Sequence, residues 1–234
     1  MSGSGARQTW GLDLSTSPRK TAAVALDWGA GIARVTNVIR PLTAPAIIDL
    51  IADSGDEPWA VDVPFGWPDR FVALMADRAR GPLAMSKLPP VDTWNDWRTR
   101  QIAQRRTDEF LTTQSRIRTR PLPASFQMLG ATAAMWVLIE AELAHRGIFI
   151  DRSGISGHIC ETYPRAALAA WGHRQSGKTY LPTLERLFPF LSVSEGWRTA
   201  LANDDACDAL VCALVARAHS LGRTLPPPDE DLDA

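Results

Sequence analysis

Three apolar segments follow one another near the start of the chain with only short links between them. They cover residues 8–14, 21–28 and 33–39, and serine, proline and glycine dominate the links. Parallel neighbours in a sheet need a crossover of a dozen or more residues, which these links cannot supply. The three segments therefore predict an antiparallel meander of strands.

The next two elements turn this meander into a mixed sheet. Thr43 is placed to cap a helix that has proline in its first turn, and Gly55 is placed to end it. Residues 59–63 then form a fourth apolar segment. Because a helix between two strands is the usual crossover, the fourth strand is predicted to lie parallel to the first.

The rest of the chain alternates predicted helices with a fifth strand. The strand covers residues 157–163, and the helices cover residues 71–80, 96–113, 131–146, 164–171, 182–188 and 204–221. A length of 234 residues suits one domain. We expect a single α/β domain over residues 8–223 with a helical insertion at about 69–147, a disordered start at 1–7 and an acidic, proline-rich tail at 224–234.

Composition excludes several classes of protein. The formal net charge is −1, so no field of the whole protein attracts nucleic acid. The three cysteines have no CxxC spacing and fit reduced, buried thiols. No apolar run approaches the ~18–20 residues of a membrane helix, and the first residues lack the apolar core of a signal peptide. We expect a cytoplasmic protein without membrane contact.

Two aspartates interrupt strands that are otherwise apolar. Asp13 stands in Trp-Gly-Leu-Asp-Leu and Asp62 in Trp-Ala-Val-Asp-Val. A buried carboxylate without a partner costs several kcal/mol, so such a residue calls for a specific reason. If the first and fourth strands are parallel neighbours, both aspartates lie where open α/β sheets bind ligands. An isolated strand aspartate can also serve a turn or a hydrogen bond.

The last helix and the fifth strand add further carboxylates. Asp205 and Asp208 are three residues apart, and so lie near one another on a helix surface. Asp204 and Asp205 also suit the first turn of a helix, where acids complement the helix dipole. Asp208 lies beyond that turn and is better explained by chemistry. Glu161 ends the fifth strand, where the alternative is a salt bridge to Arg165 or another arginine.

Carboxylates that converge repel one another unless a cation compensates their charge. Oxygen ligands with little histidine or thiol suit Mg²⁺ or Mn²⁺ rather than zinc. Two such ions can activate water on one side of a phosphodiester and stabilise the leaving oxygen on the other. We therefore predict a metal site made by the carboxylates Asp13, Asp62, Glu161, Asp205 and Asp208, with Asp13, Asp62, Glu161 and Asp208 as the catalytic set.

A basic segment offers contacts for phosphate. Residues 98–120 hold seven arginines, with Trp94 and Trp97 beside them as stacking candidates. The alternative is a solvated helix face. Gly-Lys-Thr at 177–179 lacks the preceding strand and glycine spacing of a phosphate loop, so a P-loop enzyme is rejected. Lys178 remains a candidate substrate contact.

Five motifs, taken in order, resemble one known family. They are Gly-Leu-Asp-Leu-Ser-Thr-Ser-Pro (11–18), Ala-Val-Asp-Val-Pro-Phe-Gly-Trp-Pro (60–68), Arg-Arg-Thr-Asp (105–108), Cys-Glu-Thr-Tyr-Pro-Arg-Ala-Ala-Leu (160–168) and Asp-Asp-Ala-Cys-Asp-Ala-Leu-Val-Cys-Ala-Leu (204–214). The chain resembles the DUF429 family, regarded as predicted nucleases of the ribonuclease H-like fold. Arg106 lies within one of these motifs and is our candidate phosphate contact.

This resemblance implies a fold and a reaction. It implies a mixed five-stranded sheet of order 3-2-1-4-5 flanked by helices, and a divalent-metal phosphodiesterase centre with Asp13, Asp62 and Asp208 as ligands. Ribonuclease H enzymes carry a glutamate on the helix after the third strand, where this chain offers Asp49 and Asp53. Glu161 is the candidate to replace it. Nucleic acid or a nucleotide is the expected substrate.

Two other functions stay open. The motif at residues 11–17 also resembles the first phosphate loop of sugar kinases and actin-like ATPases, which suggests an ATP-dependent phosphotransferase. Those proteins need a second such domain and a longer chain. The third possibility is a catalytically silent binding module that keeps the fold.

Overall fold

Six strands form one mixed sheet in the part of the chain that the computed structural model describes, which is residues 7–84, 86, 88–114, 116–117, 121–125, 127–173 and 181–225. The strands are β1 (Gln8–Asp13), β2 (Ala22–Gly29), β3 (Ile32–Ile39), β4 (Trp59–Asp62), β5 (Ile159–Thr162) and β6 (Leu191–Ser192). Their order across the sheet is β5-β4-β1-β2-β3-β6.

The pairing directions follow from the lengths of the connections. β2 is antiparallel to both β1 and β3, whose links to it are short. β4 is parallel to β1 and to β5. The connection from β1 to β4 includes a helix, and so does the connection from β4 to β5. The prediction of an α/β protein with a mixed sheet and flanking helices is confirmed.

The predicted strand count was wrong, and the order 3-2-1-4-5 has to be corrected accordingly. A sixth strand, β6, pairs parallel with β3 at the edge of the sheet, and the N–H of Ala33 donates to the carbonyl of Phe190 at 2.9 Å. β6 has only two residues, so it shows no alternation of polar and apolar side chains that a sequence pattern could reveal.

Nine α-helices lie in the described residues. They are α1 (Ala44–Asp53), α2 (Asp69–Ala79), α3 (Trp94–Asp96), α4 (Arg106–Thr113), α5 (Gln127–His145), α6 (Pro164–Ala170), α7 (Leu181–Leu187), α8 (Glu195–Arg198) and α9 (Asp204–Ser220). Short 3-10 turns cover Pro18–Lys20, Val91–Thr93 and Ala200–Ala202, and a π-helical turn covers Trp97–Ile102.

The single helix predicted over residues 96–113 is broken in two. Arg105 is extended, with φ −81° and ψ 162°, and it caps α4. The carboxylate of Asp108 accepts from the backbone N–H of Arg105 at 3.0 Å, which closes the first turn of α4.

The two faces of the sheet are covered by different helices. α9 packs on one face, so closely that a Cβ on Gly11 would lie 2.0 Å from the carbonyl oxygen of Ala209. The hydroxyl of Thr9 donates to the carbonyl of Ala213 at 3.0 Å on the same face. The other face carries a core that includes Leu12, Trp59 and residues of α1 and α5. Only glycine allows the backbones of β1 and α9 to approach this far.

Three further expectations meet the structure here. All three cysteines are free and buried, as predicted. In the described residues no helix is both long and apolar enough to cross a lipid bilayer. Residues 1–6 of the predicted disordered start (1–7), residues 226–234 of the predicted acidic tail (224–234) and the candidate contact Lys178 lie outside the described residues.

Candidate acidic site at the carboxyl edge of the sheet

Asp13 and Asp62 are neighbours at the ends of two parallel strands. They pair in register at the last residues of β1 and β4. Two residues earlier on these strands, Gly11 contacts α9 and Ala60 packs against Cys212 of α9. Because side chains alternate along a strand, Asp13 and Asp62 also face α9, about 4.8 Å apart in backbone spacing.

The first turns of α9 bring two more carboxylates to this place. Contacts with α9 move from Ala213 at Thr9 to Ala209 at Gly11, so the helix runs antiparallel to β1. Continuing this direction by two residues brings Asp13 level with the start of α9, where Asp205 and Asp208 lie. The amide oxygen of Asn203 accepts from the N–H of Ala206 at 3.3 Å and fixes this helix end.

The carboxylates act strongly on one another. Burial raises the pKa of Asp13 to about 9, and Asp62, Asp208 and Asp205 add to the rise. Burial also raises the pKa of Asp62 well above its usual value, with contributions from Asp208 and Glu161. Among the described residues, no cationic side chain lies within ion-pair distance of Asp13 or Asp62. The raised pKa values favour the protonated form of both carboxyl groups, and a bound cation would favour the ionised form instead.

Asp205 has a cation of its own. The Arg40 guanidinium, which follows β3, lies 3.1 Å from the Asp205 carboxylate. Both side chains are partly exposed, at 34% and 25%. Asp205 therefore belongs to the acidic cluster by position, while its charge is largely offset by Arg40.

Glu161 faces the other side of the sheet. Two residues earlier, Ile159 packs into the core on the α1 and α5 face, and Glu161 pairs in register with Val61 rather than with Asp62. There the Glu161 carboxylate accepts two hydrogen bonds from Arg105, at 2.6 and 2.8 Å. It also accepts from the backbone N–H of Phe65 at 2.8 Å. The salt-bridge alternative for Glu161 is thus what the structure shows, with Arg105 rather than Arg165 as the partner.

Arg105 joins two carboxylates rather than one. Its guanidinium also donates to Asp108, at 2.9 and 3.2 Å, and the arginine and aspartate side chains are only 15% and 3% exposed. Burial acts to lower the pKa of Arg105, but the charges and hydrogen bonds of Glu161 and Asp108 raise it further than burial lowers it. This arginine is charged at every accessible pH and holds α4 against the end of β5.

The candidate substrate contacts lie outside this cluster. Arg106 is exposed at the start of α4, and Trp94 is exposed with its indole N–H donating to the carbonyl of Pro89 at 3.0 Å. Trp97 is half-buried. Their roles as phosphate and base contacts stay predictions.

Sequence reasoning missed two residues of the site. Arg105 could not be told apart from the other arginines of residues 98–120, because only the packing of α4 decides which of them meets Glu161. Tyr163 directly follows β5, and burial raises its pKa, with Asp62 and Asp208 adding to the rise and Arg165 opposing it. The sequence did contain a signal for Tyr163: it directly follows β5, and the neighbouring strand β4 ends in Asp62.

Metal ligation is supported by the kind of atoms present rather than by a finished coordination shell. The carboxylate oxygens of Asp13, Asp62 and Asp208 are the ligands that Mg²⁺ and Mn²⁺ prefer. Within the part of the chain that the structure describes, no group of three or more histidine, cysteine, aspartate or glutamate side chains is arranged to hold a metal ion. Binding a cation therefore requires these carboxylates to converge further.

Fold and site together define an α/β protein with an acidic cluster at the carboxyl edge of its parallel strands, beside the start of a packed helix. The chain belongs to the family described as "Protein of unknown function (DUF429)", whose family model matches residues 11–232. Comparisons with curated proteins and with solved structures give no match.

Proposed function

We propose that this protein is a divalent-metal-dependent phosphodiesterase, a nuclease of the ribonuclease H-like type, that acts in the cytoplasm on nucleic acid or a nucleotide. The observation that carries the proposal is the in-register pair Asp13 and Asp62, which lies half-buried beside Asp208. Among the described residues, no cationic side chain forms an ion pair with Asp13 or Asp62. Carboxylates with strongly perturbed pKa values cluster at functional sites. The free, buried cysteines fit a reducing compartment.

Asp13, Asp62 and Asp208 would hold the cation in this proposal. Mg²⁺ or Mn²⁺ supplies a polarised phosphate oxygen and a more acidic water when bound. The chain's own residues provide the negative charge that attracts the ion and orient it at the end of the sheet. Their raised pKa values mean that ion binding releases protons from Asp13 and Asp62, so affinity should increase with pH.

Glu161 and Arg105 have a positioning role in this proposal. Glu161 accepts from Arg105 and from the N–H of Phe65, so it ties α4 and the segment after β4 to the end of β5. This keeps Arg106, the next residue along, near the same edge for a phosphate contact. Lys178 remains the second predicted contact.

A phosphotransferase is less well supported by the loop after β1. A phosphate loop needs backbone N–H groups directed at the phosphate. Here the N–H of Ser15 donates to the Thr21 hydroxyl at 3.0 Å and the N–H of Ser17 donates to the Ser15 hydroxyl at 3.3 Å. The loop satisfies its own donors, which favours the phosphodiesterase.

The test is cleavage of labelled DNA, RNA and nucleotides in Mg²⁺ or Mn²⁺ by the wild-type chain and by Asp13→Asn and Asp62→Asn. Each substitution should lower metal-dependent cleavage at least about 100-fold, because it removes a ligand charge. Asp27→Asn is the matched control, since Asp27 pairs with Arg7 near the opposite end of the strands. Circular dichroism should show all three variants folded.

Three other results would each point elsewhere. Cleavage that survives both substitutions would refute the site. ATP turnover without strand cleavage would favour the phosphotransferase. A protein that neither binds a cation nor turns over any of these substrates would be a silent binding module.

A further inference from the structure

A cavity of about 310 Å³ lies against the outer edge of the sheet, beside the acidic site. β5 is the edge strand there, and the cavity is lined by Glu161, Thr162 and Tyr163 at its end. Residues of α4, of α6 and of the second half of α9 form the other walls. A volume of this size suits one small ligand or one unit of a polymer.

The cavity continues the row of site residues across the sheet. Thr162 pairs in register with Asp62, and Asp62 pairs in register with Asp13. Paired residues of parallel strands point to the same face, so Asp13, Asp62 and Thr162 form one row with backbone spacings of about 4.8 Å. The wall of the cavity therefore begins one strand away from the candidate metal ligands.

The walls are suited to a flat ring. Phe110, Leu111, Trp171 and Val215 line the cavity with aromatic and aliphatic surface. Aromatic side chains stack on the face of any nucleobase, so such walls accept a base without requiring a particular sequence.

Two arginines and a histidine lie at the far end. Arg152, His219 and Arg223 line the cavity, the last two at and beyond the end of α9. Arg152 also pairs with Glu140 at 2.8 Å, which fixes its position. The cavity thus has Thr162, the last residue of the Asp13–Asp62–Thr162 row, at one end, apolar walls in the middle and arginine side chains at the other end. A phosphate that follows the base along a strand would meet their positive charge.

We propose that this cavity binds the base and sugar of one unpaired nucleotide, whose phosphate lies at the Asp13–Asp62–Thr162 row. The inference rests on the proposed phosphodiesterase function and names its substrate class as unpaired nucleotides rather than duplex. A base within a duplex is covered on both faces and bonded to its partner, so it cannot enter a cavity of this size without leaving the stack. A free nucleotide and an unpaired position of a strand share this chemistry, and the test separates them.

The test measures binding of the four ribonucleoside 5′-monophosphates, each titrated separately by calorimetry in Mg²⁺, with ribose 5-phosphate as the ligand without a base. At least one nucleotide should bind the wild-type chain at least about five-fold more tightly than ribose 5-phosphate. Ala170→Phe fills the cavity from α6 and should weaken that nucleotide about ten-fold. Ala134→Phe, at an exposed position of α5, is the matched control and should change affinity less than two-fold.

A second variant keeps the test valid if Ala170→Phe fails to fold. Trp171→Ala removes aromatic wall and should weaken the nucleotide about five-fold while leaving ribose 5-phosphate unchanged. Cleavage of an unpaired oligonucleotide and of the same sequence in a hairpin stem separates the sources. Preference for the unpaired strand indicates a strand position, whereas cleavage of a 3′,5′-cyclic nucleotide, which carries an internal phosphodiester, without cleavage of any oligonucleotide indicates a free nucleotide.

The possible failures are distinguishable. Equal binding of nucleotides and ribose 5-phosphate, or unchanged nucleotide affinity in folded Ala170→Phe and Trp171→Ala, overturns the cavity inference even if cleavage depends on Asp62. Nucleotide binding that both variants weaken, in a chain that cleaves nothing, supports the cavity and refutes the phosphodiesterase. Equal cleavage of stem and unpaired strand also overturns the inference.

Discussion

Two pairs of carboxylates lie at the same edge of the sheet and differ in whether a cationic side chain neutralises them. Glu161 and Asp108 share the buried guanidinium of Arg105, with hydrogen bonds of 2.6 to 3.2 Å. Asp13 and Asp62 share no cationic side chain among the described residues, and burial together with the charges of neighbouring carboxylates raises their pKa values. A matched buried charge is explained by structure alone, whereas an unmatched one needs a proton or a bound cation. Glu161, which has a positioning role, and the candidate catalytic residues Asp13 and Asp62 thus lie on opposite faces of the sheet.

The largest expected effect comes from removing Arg105, the cationic partner that Glu161 and Asp108 share (the matched pair). Arg105→Met should lower the free energy of unfolding by about 3–5 kcal/mol, because it leaves the buried Asp108 and the partly buried Glu161 without their cation. Urea denaturation at neutral pH measures it. Arg100→Met is the matched control, since Arg100 pairs with Asp96 at the surface, where the side chains are 67% and 61% exposed, and it should cost less than about 1 kcal/mol.

If Arg105→Met and Arg100→Met both had the same small effect, the ion pairs of Arg105 would contribute no more to stability than a surface ion pair. Glu161 would then be free to act as a metal ligand, as the family resemblance implies. A large effect of Arg105→Met alone fixes Glu161 in its positioning role.

The raised pKa values of Asp13 and Asp62 predict that the free energy of unfolding decreases as pH rises. A carboxylate in an ordinary ion pair has the opposite effect. Asp13 titrates near 3.8 when unfolded, while its pKa in the folded chain is about 9. Between these values the folded state holds a proton that the unfolded state releases, so the free energy of unfolding falls as pH rises. In a chelating buffer we therefore expect the free energy of unfolding to decrease steadily across that window.

Three comparisons test this pH dependence by urea denaturation. Asp13→Asn should flatten the fall, because asparagine does not titrate, and Asp27→Asn should leave it as in the wild-type chain. Mn²⁺ should restore stability at the alkaline end of the window, where the carboxylates are ionised. A wild-type chain whose stability rises with pH in chelator would show that Asp13 has a cationic partner in solution.

The sequence was sufficient to predict the elements that build the unmatched pair. The alternation in β1 and the crossover through α1 predicted parallel strands with Asp13 and Asp62 side by side, and the capped last helix predicted Asp208. These features depend on local patterns and connection lengths, which a sequence displays directly. The boundaries differed modestly, as for the fifth strand, predicted at residues 157–163 and observed at Ile159–Thr162.

The sequence offered a salt bridge of Glu161 only as an alternative and did not identify Arg105 as its partner. Glu161 was assigned to the metal shell because it ends a strand, but one step in register places it on the opposite face from Asp62. Its partner Arg105 lies in the break between Trp97–Ile102 and α4, and one continuous helix had been predicted there. Which of seven arginines reaches a carboxylate depends on tertiary packing, and so does the cavity beside β5.

The smallest expected effect concerns Arg40, which neutralises Asp205 at the surface. Asp205 is thus intermediate between Glu161 and Asp108, which have a cationic partner in the interior, and Asp13 and Asp62, for which the described residues provide none. Arg40→Gln should change the free energy of unfolding by less than about 0.5 kcal/mol, since both side chains are partly exposed. It should nevertheless tighten Mn²⁺ binding about two- to five-fold by calorimetry, because the charge of Asp205 then acts unopposed on Asp13. Arg34→Gln removes the same charge from β3 and should not change the affinity. Adding Asp205→Asn to Arg40→Gln should abolish the gain, and a gain that survives would mean that Arg40 acts on the ion by some path other than Asp205.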